Sequence, residues 1–137
     1  MRALDDVLWP EPSRQLSPPP MVAVLKLDVE GYECKALHGA ALLLRERAIR
    51  AVKTEVFDYG LKRQGCSGVQ LQRLLADAGF RLYRRDPGAN PLDRPIDPNA
   101  LWETQLGLPY NLYGVQTQPY PRPDWSRRRR GRRLERG

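Results

Sequence analysis

The sequence predicts an α/β domain built on a parallel sheet with crossover helices. Three observations predict it. The segment 21–29 (Met-Val-Ala-Val-Leu-Lys-Leu-Asp-Val) is apolar on both faces, as a central parallel strand covered by helices would be. Strand-like and helix-like segments then alternate, in the order strand, helix, strand, helix, strand. Finally, the 13 prolines are segregated: five lie between Pro10 and Pro20 and eight between Pro87 and Pro123. Regular structure should concentrate in the proline-free stretch between them, because proline fixes φ and has no N–H to give.

Taken in order, Leu4-Asp5-Asp6-Val7-Leu8 predicts a short helical fragment, ended by Pro10-Glu11-Pro12. Residues 13–20 read as a polar, proline-rich loop. The strand over 21–29 is broken by Gly31. A helix is expected over 33–47, because Leu37, Ala40, Ala41, Leu44 and Ala48 form one apolar stripe. Glu33 near its start and Arg45, Arg47 and Arg50 near its end suit the helix dipole. A second strand spans 51–57 and stops at Asp58-Tyr59-Gly60, and a polar connection follows up to Gly68. A second helix covers 69–78, with Ser67 as N-cap and Gly79 as the left-handed stop. Phe80–Tyr83 starts a third strand, and 111–116 is a candidate last strand at the sheet edge. The domain reading is an N-terminal fragment and loop over 1–20, the α/β body over 21–118 and a disordered tail over 119–137.

The formal net charge of +7 is a property of the tail. Residues 126–137 hold seven arginines and one glutamate, leaving 16 basic and 15 acidic residues elsewhere. A nearly neutral body is not a basic nucleic-acid-binding face. The arginine block can supply nonspecific phosphate affinity or a nuclear-localisation signal, or serve as a solvated tail. Cys34 and Cys66 have no CxxC partner, which argues against a zinc site and against a disulfide framework. No metal centre is assigned, and a reducing, cytoplasmic compartment is the easier fit. No apolar run approaches the length of about 20 residues that spans a membrane. Residues 1–6 have no apolar core of a secretory signal.

Three carboxylates fall where strands end: Asp28 and Glu30 after the first, Glu55 late in the second. Ligands of open α/β sheets bind beyond the carboxyl ends of the strands. Acids gathered there could hold a hydroxyl or amine, take a proton or bind a hard cation. Surface acids at strand ends are also common and solvated, so position alone leaves both readings open. Lys26, inside an apolar strand, is expected to pair with one of these acids. Tyr32 is read as a packing residue, and the single histidine, His38, as a helix-surface or packing residue. No Ser-His-Asp or Cys-His arrangement can be built on a histidine in mid-helix. No two glycines are separated by one residue, so no glycine-rich nucleotide loop is present.

Leu25-Lys26-Leu27-Asp28-Val29-Glu30-Gly31-Tyr32-Glu33 resembles the K-[IL]-D-V-E-G-x-E signature of the FkbM methyltransferases. Leu37-His38-Gly39-Ala40, Thr54-Glu55-Val56, Leu74–Phe80 and Leu4–Leu8 resemble further pieces of that family, in order and spacing. The resemblance covers roughly residues 3–83. It implies part of a Rossmann-like class I methyltransferase fold, with 21–29, 51–57, 80–83 and 111–116 as strands four to seven and the first strands absent. It further implies methyl transfer from S-adenosylmethionine, typically to oxygen on a small metabolite or sugar. Asp28 would then stand at the boundary of cofactor and substrate, Glu30 would orient the substrate or take its proton, and Glu55 would line the pocket. The glycine-rich turn and ribose-binding acid of the family have no counterpart here. The chain alone is therefore expected to bind the cofactor weakly or not at all, as a truncated domain. It is also expected to risk self-association through an exposed sheet edge. A non-catalytic interaction module is the competing expectation.

Overall fold

The computed structural model describes residues 2–90, 92–100 and 107–118. The arginine-rich stretch 126–137 and its expected disorder lie outside the described residues. The elements run α1 (Leu4–Leu8), α2 (Glu11–Leu16), β1 (Val22–Leu27), α3 (Glu33–His38), α4 (Ala41–Arg45) and β2 (Ile49–Val56). They continue with α5 (Asp58–Arg63), α6 (Gly68–Asp77), β3 (Phe80–Tyr83) and β4 (Tyr110–Gln116). The fold is α/β, with a mixed four-stranded sheet in the order β1-β2-β4-β3. Only β1 and β2 are parallel; β4 runs antiparallel to both β2 and β3.

The core lies on one face of the sheet. Val52, Thr54 and Val56 of β2, Leu112 of β4, and Phe80 and Leu82 of β3 are buried there against Leu37, Leu43, Leu61, Leu71 and Leu75 of the helices. Alternation along each strand sends the intervening residues to the other face. That face carries the row Lys26, Lys53, Tyr113 and Tyr83 across all four strands. Lys53 Nζ stands 5.4 Å from the centre of the Tyr113 ring.

Several expectations are corrected. The strand over 21–29 exists, but it is the sheet's edge rather than its centre, and Val24 is 61% exposed. Of its apolar run only Leu27 is fully buried, on the helix side, and no described helix covers the other face. The segment 111–116, expected at the edge, lies inside the sheet and makes it mixed. The helix expected over 33–47 is two helices, parted at Gly39 and Ala40. The N-terminal fragment docks at that break: Asp5 N–H donates to the Gly39 carbonyl (2.9 Å). The buried Asp5 carboxylate accepts from Leu42 N–H (2.8 Å) and Leu43 N–H (3.0 Å), capping α4 across 37 residues of chain.

The proline-rich loop contains α2, and the polar connection after β2 contains α5. Pro12 occupies the first turn of α2, where a missing N–H costs nothing. In α5 the acid of the first turn, Asp58, pairs with Lys62 one turn later (2.6 Å). Ser67 caps α6 as expected, accepting from Gln70 N–H at 3.2 Å, and Gly79 takes φ +92°.

The expectation of unpaired cysteines is also overturned. Cys34 at the start of α3 and Cys66 before α6 form a disulfide, with Cα atoms 6.5 Å apart. The packing of α3 against α6 brings them together over a sequence separation of 32, which no spacing motif encodes. The argument for a reducing compartment, built on unpaired thiols, loses its ground. Among the described residues no helix is long and apolar enough to cross a membrane.

Candidate functional site

The signature residues form the turn from β1 into α3. Leu27 is the last paired residue of β1, opposite Thr54 of β2. The chain then reverses through Glu30 (φ +50°) and Gly31 (φ +103°), both left-handed. Only glycine tolerates the second position: a Cβ on Gly31 would lie 2.6 Å from the carbonyl oxygen of Gly60. The turn therefore rests on the backbone of α5, beyond the end of β2.

Glu33 holds the turn closed. Its carboxylate is buried and accepts from Val29 N–H (3.1 Å) and from Gly31 N–H (2.9 Å). The last acid of the signature is thus a clamp on the acids that precede it, a role that a helix-dipole reading misses. The signal was present in the sequence. An acid in the first helical turn, two residues after a left-handed glycine, is placed to reach back to loop N–H groups.

Asp28 and Glu55 each lie one residue beyond the last β1–β2 pair, on neighbouring parallel strands. Glu55 is half-buried, opposite Asn111 of β4. Asp28 and Glu30 are exposed. The expected partner of Lys26 is Asp28, with Nζ 3.6 Å from Oδ2, but both side chains are well exposed. It is a surface pair of small energetic weight, not the buried one expected. Among the described residues no group of three or more acids, histidines or cysteines is placed to hold a metal ion. His38 is exposed on α3. Tyr32 is 43% exposed, with Lys35 Nζ 4.9 Å from its ring centre.

The loop after β2 supplies a second anchor. Asp58 accepts from Gly68 N–H (2.8 Å), tying α5 to the start of α6. Partial burial pushes its carboxyl up, but the Gly68 N–H and the Lys62 ammonium outweigh this and hold it below the ordinary carboxylate range. Farther along, the buried Gln72 amide of α6 donates to the carbonyls of Pro98 (3.1 Å) and Ala100 (2.9 Å), and accepts from the Tyr110 hydroxyl (2.9 Å). It fastens the irregular segment after β3 to helix and sheet.

A groove of about 600 Å³ runs along β1 on the helix side. Leu4 and Val7 of α1, Leu25 and Leu27 of β1, Val29, and Tyr32 and Ala36 line it, with Arg2 and Lys35 among its polar residues. It follows the strand edge rather than the rim that carries Glu30 and Glu55. No family model, curated protein or solved structure matches the chain.

Proposed function

We propose that this chain carries the acceptor side of an FkbM-type, S-adenosylmethionine-dependent methyltransferase that methylates oxygen on a small metabolite or sugar. The observation behind the reading is the Asp28-to-Glu33 turn. Its signature residues stand at the carboxyl end of β1, where α/β sheets place ligands, and its shape is fixed by Glu33 and by the Gly31–Gly60 contact. On the strand numbering that the resemblance suggests, the sheet order reads four, five, seven, six.

The cofactor would supply an electrophilic methyl group on a sulfonium. The described residues suit the acceptor side better than the nucleoside. Exposed carboxylates can hold sugar hydroxyls and draw a cationic centre, but no glycine-rich turn follows a strand. In this reading Glu30 accepts the proton of the acceptor hydroxyl or orients it, Asp28 faces the boundary between acceptor and cofactor, and Glu55 closes the rim beside Asn111. Catalysis rests on positioning and on removal of that proton.

Titration of the ¹⁵N-labelled chain with S-adenosylmethionine, read by amide shifts, tests the proposal. One wall of a pocket offers few contacts, so weak, millimolar binding is expected. Shifts should be confined to residues 28–32 and 55–60 and be lost in Asp28→Ala. S-adenosylhomocysteine, which lacks the positive sulfur, should shift the same amides less. Shifts centred elsewhere would sink the reading.

A further inference from the structure

We infer that the free edge of β1 is a self-complementary interface through which two copies of this chain pair into one continuous sheet. The inference is argued from the geometry of this edge, which on the methyltransferase reading is the edge that further strands of that fold would cover. Among the described residues β1 pairs with β2 alone. Val22 N–H donates to the Ala48 carbonyl (2.8 Å). In a parallel ladder alternate residues face the neighbour, so Val22, Val24 and Lys26 turn their main chain towards β2. Ala23, Leu25 and Leu27 turn theirs outward. Within Val22–Leu27 this edge carries no proline, and its one lysine belongs to the residues facing β2.

The occupant and its register follow from the edge itself. In an antiparallel pair about a two-fold axis at Leu25, Leu25 faces its own copy and Ala23 faces Leu27. Every outward N–H and carbonyl between Ala23 and Leu27 then finds a partner. Val24 falls opposite Lys26 and Val22 opposite Asp28, so no like charges are directly opposed. An axis at Lys26 would set lysine against lysine. An axis at Leu27 would set Leu25 against Val29. The Val29 N–H is already given to Glu33 (3.1 Å), and its carbonyl accepts from Tyr32 N–H (3.2 Å). On the groove side the Leu25 and Leu27 side chains of both copies meet beneath Val7 and Tyr32, which are exposed apolar surface in the single chain. The joint surface is a sheet running β3-β4-β2-β1 into β1-β2-β4-β3 of the second copy.

Sedimentation equilibrium of the full chain over a wide concentration range, paired with hydrogen exchange, tests this. The expected mass is twice the 15.7 kDa of one chain. Exchange at Ala23, Leu25 and Leu27 should slow as concentration rises, while amides of α6 do not respond. Leu25→Lys, which brings two charges together on the axis, should halve the mass, with circular dichroism confirming that the fold persists. Val115→Lys, on an interior strand of the open face, should leave the mass doubled. A chain that stays monomeric at millimolar concentration overturns the inference, as does a dimer that survives Leu25→Lys. Protection of these amides at every concentration would also overturn it, because another segment would then hold the edge.

Discussion

Gly31 and Gly60 meet backbone to backbone, so closely that a methyl group on Gly31 would sit 2.6 Å from the Gly60 carbonyl oxygen. The contact is asymmetric. A methyl group on Gly60 would meet chiefly the Phe57 ring, at 2.8 Å, and Gly60 lies in helix α5, where alanine is favoured. Gly31 has no such relief, since its φ of +103° is itself hostile to a side chain. Gly31→Ala should therefore cost about 2–4 kcal/mol, and Gly60→Ala clearly less. Denaturant unfolding of both variants checks the order, and equal losses would contradict the contact.

The Asp5 cap ties the N-terminal helix to the break between α3 and α4. Asp5→Ala leaves the Leu42 and Leu43 N–H groups without their acceptor and should cost about 1–2 kcal/mol. Asp5→Asn keeps one acceptor oxygen and should cost less. Thermal melts of the two variants measure it. If Asp5→Ala melts with the wild type, α1 does not dock as described.

Much of this architecture was legible from local signals, and the misses share a cause. The strand at 51–57, the helix at 69–78 and Phe80–Tyr83 come through within a residue or two, because periodicity, the Ser67 cap and Gly79 all act within a few residues. The insertion of β4 between β2 and β3, the Asp5 cap and the Cys34–Cys66 bond are contacts over long separations, which no local pattern records. The two missed helices, α2 and α5, were hidden by Pro12 and Gly60, residues read as breakers that a helix start or a short helix tolerates. At the site, the position of the acidic turn was legible, but the division of labour within it was not. Asp28 and Glu30 stay exposed while Glu33 is consumed in holding them.

The disulfide closes a loop of about 32 residues, which in the chain-entropy account is worth about 3–4 kcal/mol. Replacing both Cys34 and Cys66 by serine, or adding reductant, should lower the melting temperature by about 10 °C or more. A midpoint indifferent to reductant would show that the bond does not stabilise the fold.

Asp58 should contribute to acid sensitivity. Its carboxyl titrates lower in the folded chain than the unfolded value of about 3.9. Its stabilising effect is therefore fully present above that unfolded value and is lost as pH falls through the lower folded one. Asp58→Asn should weaken the chain near neutral pH and flatten this part of the acid-unfolding curve. An unchanged slope in acid titrations of stability would contradict the Gly68 and Lys62 contacts.

Glu33 holds the acidic turn in the shape that presents Asp28 and Glu30 at the rim. Residue-resolved hydrogen exchange at Val29 and Gly31, in the wild type and in Glu33→Ala, measures this hold. Both amides should be protected in the wild type and exchange far faster in the variant, while the α6 amides keep their protection. Rapid exchange at Val29 and Gly31 in the wild type, or equal protection after Glu33 is removed, would contradict it.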